Sequence, residues 1–346
     1  MSKVSVSRAL RGDLTYLAQT TYDRIHKTAK EMGYDPANGH LARRLALRRV
    51  GQQVLNNVVA VISPSDFYAH NFYHEVFRGL YEGLVPEQFA ALVHYTDGSG
   101  ESRLPSLFGR GDVDGVVGIF QNSAFLSHVL ELMPNVVGSG VRPAVSILAV
   151  PTQGCSSVNV DIRAGGYASA AHLLDLGHRH ILYFLVPDDY DNGEPDRVLG
   201  FGQACMDRGL DPDRCLYALP PIDGVSVGTA RAELESALSE MLAAHPEITA
   251  VVAKNDIAAA QCIGYFKRRG LRVPDDMSVV GFDDTDAILD DLGSNILTSV
   301  RLPLQDVGRE AARIVLDLVT SRVSEVTRSV LPVELFVRKT TAKPRE

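Results

Sequence analysis

From Asn57 onward, short runs rich in Val, Ile and Ala alternate with amphipathic segments, and that alternation leaves few folds open. The apolar runs cover residues 58–63, 90–95, 115–119, 135–138, 181–186, 215–219, 250–253 and 278–282. Helix-forming stretches stand between most of them, at 72–84, 165–176, 197–208, 229–243 and 257–269. A strand that is apolar on both faces is covered on both, as in a parallel sheet clothed by helices. About eight strands over roughly 230 residues make two sheets more natural than one. Open parallel sheets bind ligands at the carboxyl ends of their strands, so a two-sheet protein is expected to hold a ligand in the cleft between its lobes.

The 346 residues exceed one ordinary domain of ~100–200 residues, and a 45% apolar content is enough for a large core. No apolar run reaches the roughly 18–20 residues of a membrane-spanning helix. The first eight residues lack the apolar stretch of a secretory signal, so the expectation is a cytoplasmic protein with no membrane partner. Cys155, Cys205, Cys215 and Cys262 form no CxxC pair and no metal-type spacing with histidine, and are expected to stay reduced. Gly138-Ser139-Gly140 hints at a dinucleotide loop, but Pro143 stands where the helix must begin and the full glycine spacing is missing. There is no phosphate-binding loop and no readable nucleophile–histidine arrangement. His172, His178 and His180 are close in sequence, but the last two fall in a helix-to-strand connection. No catalytic residue, metal site or cofactor is expected.

Net charge is −8, yet its distribution is lopsided. Residues 1–53 carry +6, leaving −14 on the remainder. A small basic end on a large acidic body is the asymmetry of a polyanion-binding arm, although a merely solvated charged terminus would look the same. Residues 2–10 read as a helix with Val6 and Leu10 on one face. A second helix, 18–32, sets Thr21, Ile25, Ala29 and Met32 on a core stripe, turns Asp23, Arg24, Lys27 and Lys30 outward, and closes at Gly33. A third, short and basic, spans 41–49 beyond the breaker run Pro36-Ala37-Asn38-Gly39. Lysine and arginine at Lys3 and Arg8 can read guanine edges in a major groove, and Ser2, Ser5 and Ser7 can hold phosphates.

The order Ser5-Val6-Ser7-Arg8-Ala9-Leu10, then Met32-Gly33-Tyr34-Asp35-Pro36, then Leu41-Ala42-Arg43-Arg44-Leu45 resembles the headpiece of the LacI/GalR family of bacterial repressors. The likeness continues in Asn71-Phe72-Tyr73, in Asp112-Val113-Asp114-Gly115-Val116-Val117, and in the distinctive Val160-Asp161-Ile162-Arg163-Ala164-Gly165-Gly166 with His172-Leu173-Leu174-Asp175-Leu176-Gly177-His178-Arg179. The resemblance implies an α/β fold: a two-lobed, periplasmic-binding-protein-like (type I) core of parallel sheets flanked by helices, behind a small all-α headpiece. It implies a partial helix-turn-helix and hinge helix over 1–50. One lobe would comprise 57–160 with 298–328, the other 161–297 with 329–346. The family's first helix would precede Met1, so either translation starts further upstream, which is the expectation here, or the polypeptide binds DNA poorly. Gly39-His40 lengthens the linker before the hinge helix. The chain's close at Arg338-Lys339-Thr340-Thr341, with no leucine heptad after it, argues against a tail-built tetramer, and paired headpieces reading two half-sites of a palindromic operator lead us to expect a dimer.

By the same resemblance Lys3, Val4 and Arg8 would face bases, with Ser2, Ser5, Ser7 and Arg43 alongside. Leu45 would be the wedge pushed into the minor groove, unless it is an ordinary apolar helix position. Arg197, Asn255 and Asp283 would bind the effector: a rigid fork of donors, an amide that both donates and accepts, and a bidentate acceptor for paired hydroxyls. Helix capping remains the other account of Asn255 and Asp283, and a surface ion pair that of Arg197. Phe72 and Tyr73 would wall the pocket, or simply pack the core. Leu302 stands where the family often has glutamine ahead of Pro303. The function implied is a nucleoid-associated repressor, homodimeric on double-stranded operator DNA and controlled by a small sugar or sugar derivative. A solute-binding protein shares the core but not the basic headpiece, and a Rossmann-like enzyme would need a cofactor loop that is not there.

Overall fold

The computed structural model describes residues 3–10, 18–31, 55–64, 71–96, 108, 112–121, 123–133, 141–184, 194–225 and 228–345. They divide into two compact units, Met1–Asn56 and Asn57–Glu346. In the small unit α1 (Lys3–Leu10) and α2 (Gln19–Glu31) pack through Ala9, Ile25 and Ala29, all buried. Thr21 is half-buried on the same stripe, and Asp23, Arg24, Lys27 and Lys30 are exposed as the 3.6-residue period requires. His26 Nε2 lies 3.0 Å from the Ala9 carbonyl oxygen, one of the last-turn carbonyls of α1 that have no partner within the helix. The expected helix at 41–49 and the expected strand at 135–138 lie outside the described residues.

Among its described residues the large unit holds two six-stranded sheets. The first is built from β1 (Val58–Pro64), β2 (Ala90–Thr96), β3 (Gly115–Ile119), β4 (Ala144–Ile147), β5 (Ser156–Val160) and β11 (Arg328–Leu331), in the order β11-β5-β4-β3-β1-β2. The second contains β6 (Ile181–Phe184), β7 (Leu216–Leu219), β8 (Ala250–Val252), β9 (Ser278–Asp283), β10 (Thr298–Arg301) and β12 (Glu334–Phe336), in the order β12-β10-β9-β8-β6-β7. All pairings are parallel except β12 with β10. The first lobe carries α3 (Asn71–Leu84), α4 (Ser123–Leu132) and α10 (Leu304–Val319). The second carries α5 (Ile162–Leu176), α6 (Glu194–Met206), α7 (Pro212–Cys215), α8 (Arg231–Ala244) and α9 (Asp256–Arg268). β1, β3 and β8 are apolar and buried nearly throughout, the condition of central parallel strands.

Twelve strands stand among the described residues where about eight were expected. The extra ones are short, and β5 and β10 are polar: Ser156, Ser157, Thr298 and Ser299 are all buried. They are tolerated because they are bonded, as where the Thr327 amide donates to Ser156 Oγ at 3.0 Å. The helices α4 and α10 were likewise not anticipated. β10 pairs in the second sheet, so the chain crosses between lobes at Leu302 and Pro303 rather than at 298. β11 pairs in the first, which moves the last crossing to residues 332–333 rather than 329.

Close helix crossings lock each lobe. A Cβ on Gly79 of α3 would run into the Gln305 carbonyl of α10, and one on Gly308 into the Val76 carbonyl of α3. In the second lobe a Cβ on Gly166 of α5 would meet the Arg197 carbonyl, and one on Gly200 of α6 the Arg163 carbonyl. Backbones that touch at such points leave the apolar residues on either side, Val76 and Leu80 against Leu304, Val307 and Ala311, free to interdigitate.

A single buried carboxylate joins several elements of the second lobe. Asp256, first residue of α9 and 1% exposed, accepts from Ser299 Oγ of β10 at 2.5 Å and from the backbone amides of Thr285 at 2.8 Å and Asp286 at 3.2 Å. Gly281 of β9 has to be glycine here, since a Cβ would collide with Asp256 Oδ1. Burial pushes the Asp256 carboxyl up to about 7, against the pull of Ser299 and the two amides toward the ionised form.

Two outcomes follow for stability. Gly308→Ala should lower the unfolding free energy by about 2 kcal/mol through backbone displacement, read by urea denaturation; an unchanged midpoint would contradict the close crossing. Because the folded-state carboxyl of Asp256 titrates above its unfolded value, its contribution is fully present below about pH 4 and is lost as pH rises through about 7. Asp256→Asn should therefore flatten that part of the pH–stability profile between pH 4 and 8. Asp256→Ala, which strands two buried amides, should cost about 2 kcal/mol at every pH in that range. Parallel profiles for wild type and the Asn variant would refute the assignment.

Candidate functional site

Three of the residues picked out by sequence lie at the carboxyl ends of three neighbouring strands. β6 leads to α6, which holds Arg197; β8 leads to Asn255; β9 ends on Asp283. Parallel strands place these exits side by side, where open-sheet ligands bind.

Arg197 is 6% exposed, so a surface ion pair does not account for it. Its guanidinium carbon sits 3.7 Å from the ring centroid of Phe282, and Nη1 donates to the Lys254 carbonyl at 2.8 Å. The side chain is thereby tied to the exits of both β8 and β9, with the planar fork stacked on an aromatic face. Asn255 has extended backbone and caps α9, its Oδ1 accepting from the Ala258 amide at 2.9 Å. The capping account is thus correct for its carbonyl end, and the amide's donors lie at its other end. Asp283 has φ +92° and Asp284 φ +56°, two consecutive left-handed residues that turn the chain sharply off β9. For non-glycine residues that conformation costs of order 1–3 kcal/mol each and is typical of functional loops.

The turn sorts two adjacent acids into different roles. Asp284 faces inward with a 2%-exposed side chain, 2.6 Å from Arg301 Nη2 and held by Arg338 at 2.7 and 2.9 Å. It is a structural ion pair. Asp283 stays half-buried at the strand end.

In the first lobe Phe72 and Tyr73 open α3, the former half-buried and the latter buried. Phe72 stacks on Phe120 with centroids 5.4 Å apart at 28°, and Tyr73 meets Phe120 edge-on at 6.0 Å. Phe120 is the first residue past β3 and has φ +51°, uncommon for a bulky side chain. Sequence reasoning missed it; the only signal was its place immediately after an apolar strand. Gln121 behind it is buried and donates to the Ile119 carbonyl at 2.8 Å.

The two lobes meet beside these groups. Asn71, one residue before Phe72, donates from Nδ2 to Asp286 Oδ1 at 2.7 Å. Asp286 is three residues beyond Asp283, so the start of α3 and the loop after β9 approach one another. Other sequence candidates resolve individually: His172 pairs with Thr341, His178 with Thr249 and Ser278, and His180 with Tyr217.

Of the residues expected to touch DNA, Lys3, Val4, Ser5, Ser7 and Arg8 lie along α1, which the His26 contact holds against α2. Ser2, Arg43 and Leu45 lie outside the described residues. No helix among the described residues is long and apolar enough to cross a membrane.

Comparison with known proteins agrees with this architecture. The periplasmic binding protein-like domain family matches residues 170–341. The HTH-type transcriptional regulator DegA of Bacillus subtilis is 29% identical, the match covering 99% of this chain and 95% of that protein. The HTH-type transcriptional regulator CelR of Thermobifida fusca is 29% identical over 97% of this chain and 93% of the relative. A solved CelR–cellobiose complex superposes with a TM-score of 0.66 at 25% identity, over 98% of this chain and 96% of that one. With its two-lobed core, two headpiece helices and near full-length matches, the chain is similar to helix-turn-helix transcription regulators of the LacI family.

Proposed function

We propose that this regulator is a homodimeric repressor whose core closes on a small sugar or sugar derivative, and that closure changes its grip on double-stranded operator DNA. The observation that carries the reading is the placement of Arg197, Asn255 and Asp283 at the exits of three adjacent strands, with Asn71, next to the aromatic group of Phe72, Tyr73 and Phe120, bonded to the loop after Asp283. Hydroxyls match a guanidinium fork, an amide and a carboxylate, while the apolar face of a pyranose matches an aromatic ring. A relative of this chain has been solved with cellobiose bound, which fits that chemistry.

In this reading one lobe comprises 57–160 with α10 and β11, and the other comprises the segment from α5 to β10 together with β12 and the tail. The lobes approach as the sugar bridges them, and the hinge region ahead of the core transmits the change. Headpieces paired by a two-fold axis suit a palindromic operator. Lys3, Val4 and Arg8 read bases from α1, while Ser2, Ser5, Ser7, Arg43 and Leu45 contact backbone and minor groove. The role requires no catalytic step, cofactor or metal, and places the protein in the cytoplasm on the nucleoid.

Two measurements test the proposal. Calorimetric titration with a panel that includes cellobiose and ribose should find a binder whose affinity falls at least about tenfold in Asp283→Ala and in Arg197→Lys, since each removes charged hydrogen bonds to hydroxyls. A panel without any binder, or binding indifferent to both substitutions, would overturn the site. Gel-shift titration should show Arg8→Ala weakening specific operator binding by about ten- to a hundredfold while leaving non-specific binding within a few-fold. Equal losses on both would reduce Arg8 to a phosphate contact.

A further inference from the structure

The hydrogen bond between Asn71 and Asp286 joins the first residue of α3 in one lobe to the loop after β9 in the other. Everything around Asp286 fixes its position. Its backbone amide and that of Thr285 are anchored on the buried Asp256 carboxylate, at 3.2 and 2.8 Å. Its Oδ2 accepts from Thr285 Oγ1 at 2.9 Å, which leaves Oδ1 turned to Asn71 at 2.7 Å. On the other side Asn71 belongs to a 14-residue helix whose N-terminal end attracts negative charge, so the carboxylate gains from the helix dipole as well as from the bond. α3 in turn is locked to α10 by the Gly79 and Gly308 crossings, so neither partner can shift without its lobe.

We propose that Asp286 and Asn71 form a latch between the lobes, which populates the closed core before any effector enters and so sets how far an effector has left to shift it. A ligand can move a two-state equilibrium only by its differential affinity, and an apparent affinity scales with the fraction of protein already competent to bind. The latch raises that fraction. It is independent of which groups bind the effector, because neither Asn71 nor Asp286 is assigned there. Only its regulatory consequence rests on the sugar-binding reading.

The test is read without a ligand, so its failure is distinguishable from failure of that reading. All four native cysteines are buried, which allows spin labels on Glu87→Cys and Arg214→Cys, exposed positions in the first and second lobes. Pulsed dipolar distances in the sugar-free protein should show one dominant closed separation. Asp286→Ala and Asn71→Ala should each raise the open population about fivefold, as expected for loss of one exposed charge-assisted hydrogen bond. The double variant should do no more than either single one. Asp286→Asn keeps a carbonyl acceptor and loses the charge, and should fall between; it also serves if the alanine variants prove unstable in thermal melts. Distance distributions that do not change on substitution, an already open parent, or single effects that multiply in the double variant would each overturn the latch.

Discussion

A carboxylate taken out of water has to be surrounded by donors, and the second lobe is organised around one such group. Asp256 draws Ser299 of β10 and the amides of Thr285 and Asp286 onto itself, while Gly281 leaves the room it occupies. Those contacts anchor the loop after β9 where it passes Thr285 and Asp286. The turn at Asp283 and Asp284, the ion pair of Asp284 with Arg301 and Arg338, and the reach of Asp286 to the other lobe all depend on the course of that loop. Desolvation works against the ionised form, so this anchor is strongest when protonated or when every acceptor position is filled.

The same economy governs the neighbouring acids. Asp283, Asp284, Asp286 and Asp256 lie within one loop system, yet each meets different surroundings. Asp256 is buried among neutral donors, Asp284 is neutralised by two arginines, and Asp286 faces an amide and a helix N-terminus. Separate partner sets moderate the repulsion among these acids, which still contributes, since the charge of Asp284 helps to raise the Asp256 carboxyl; Asp283 stays half-buried at the strand end.

Much of this was legible in the chain. Val-rich runs buried on both faces announced β1, β3 and β8, and the apolar stripe with outward charges announced α2. Arg197, Asn255 and Asp283 came from the resemblance to LacI/GalR repressors, and their places just beyond apolar runs agreed with it. β5 and β10 escaped because Ser156, Ser157, Thr298 and Ser299 look like loop residues until their distant hydrogen-bond partners are known. Phe120 escaped for a related reason: its exposure to Phe72 depends on a positive φ that no local pattern encodes. Asp286 and Asn71 lie over two hundred residues apart, and only the assembled lobes bring them together. Nothing in the local pattern around Asp256 distinguishes it, because its partners Ser299, Thr285 and Asp286 come later in the chain.

The three crossings between the lobes have a consequence for how such a chain comes into being. α3 is made early, but the helix that covers its apolar face, α10, follows more than two hundred residues later. β11, an edge strand of the first sheet, comes later still. A chain emerging from the ribosome cannot complete its first lobe and then begin its second. It must carry an uncovered Val76, Leu80 and Leu84 until nearly all of the second lobe has been synthesised. The first-made half therefore matures last, and the nascent chain is most exposed to aggregation while the loops after β8 and β9 are already folding.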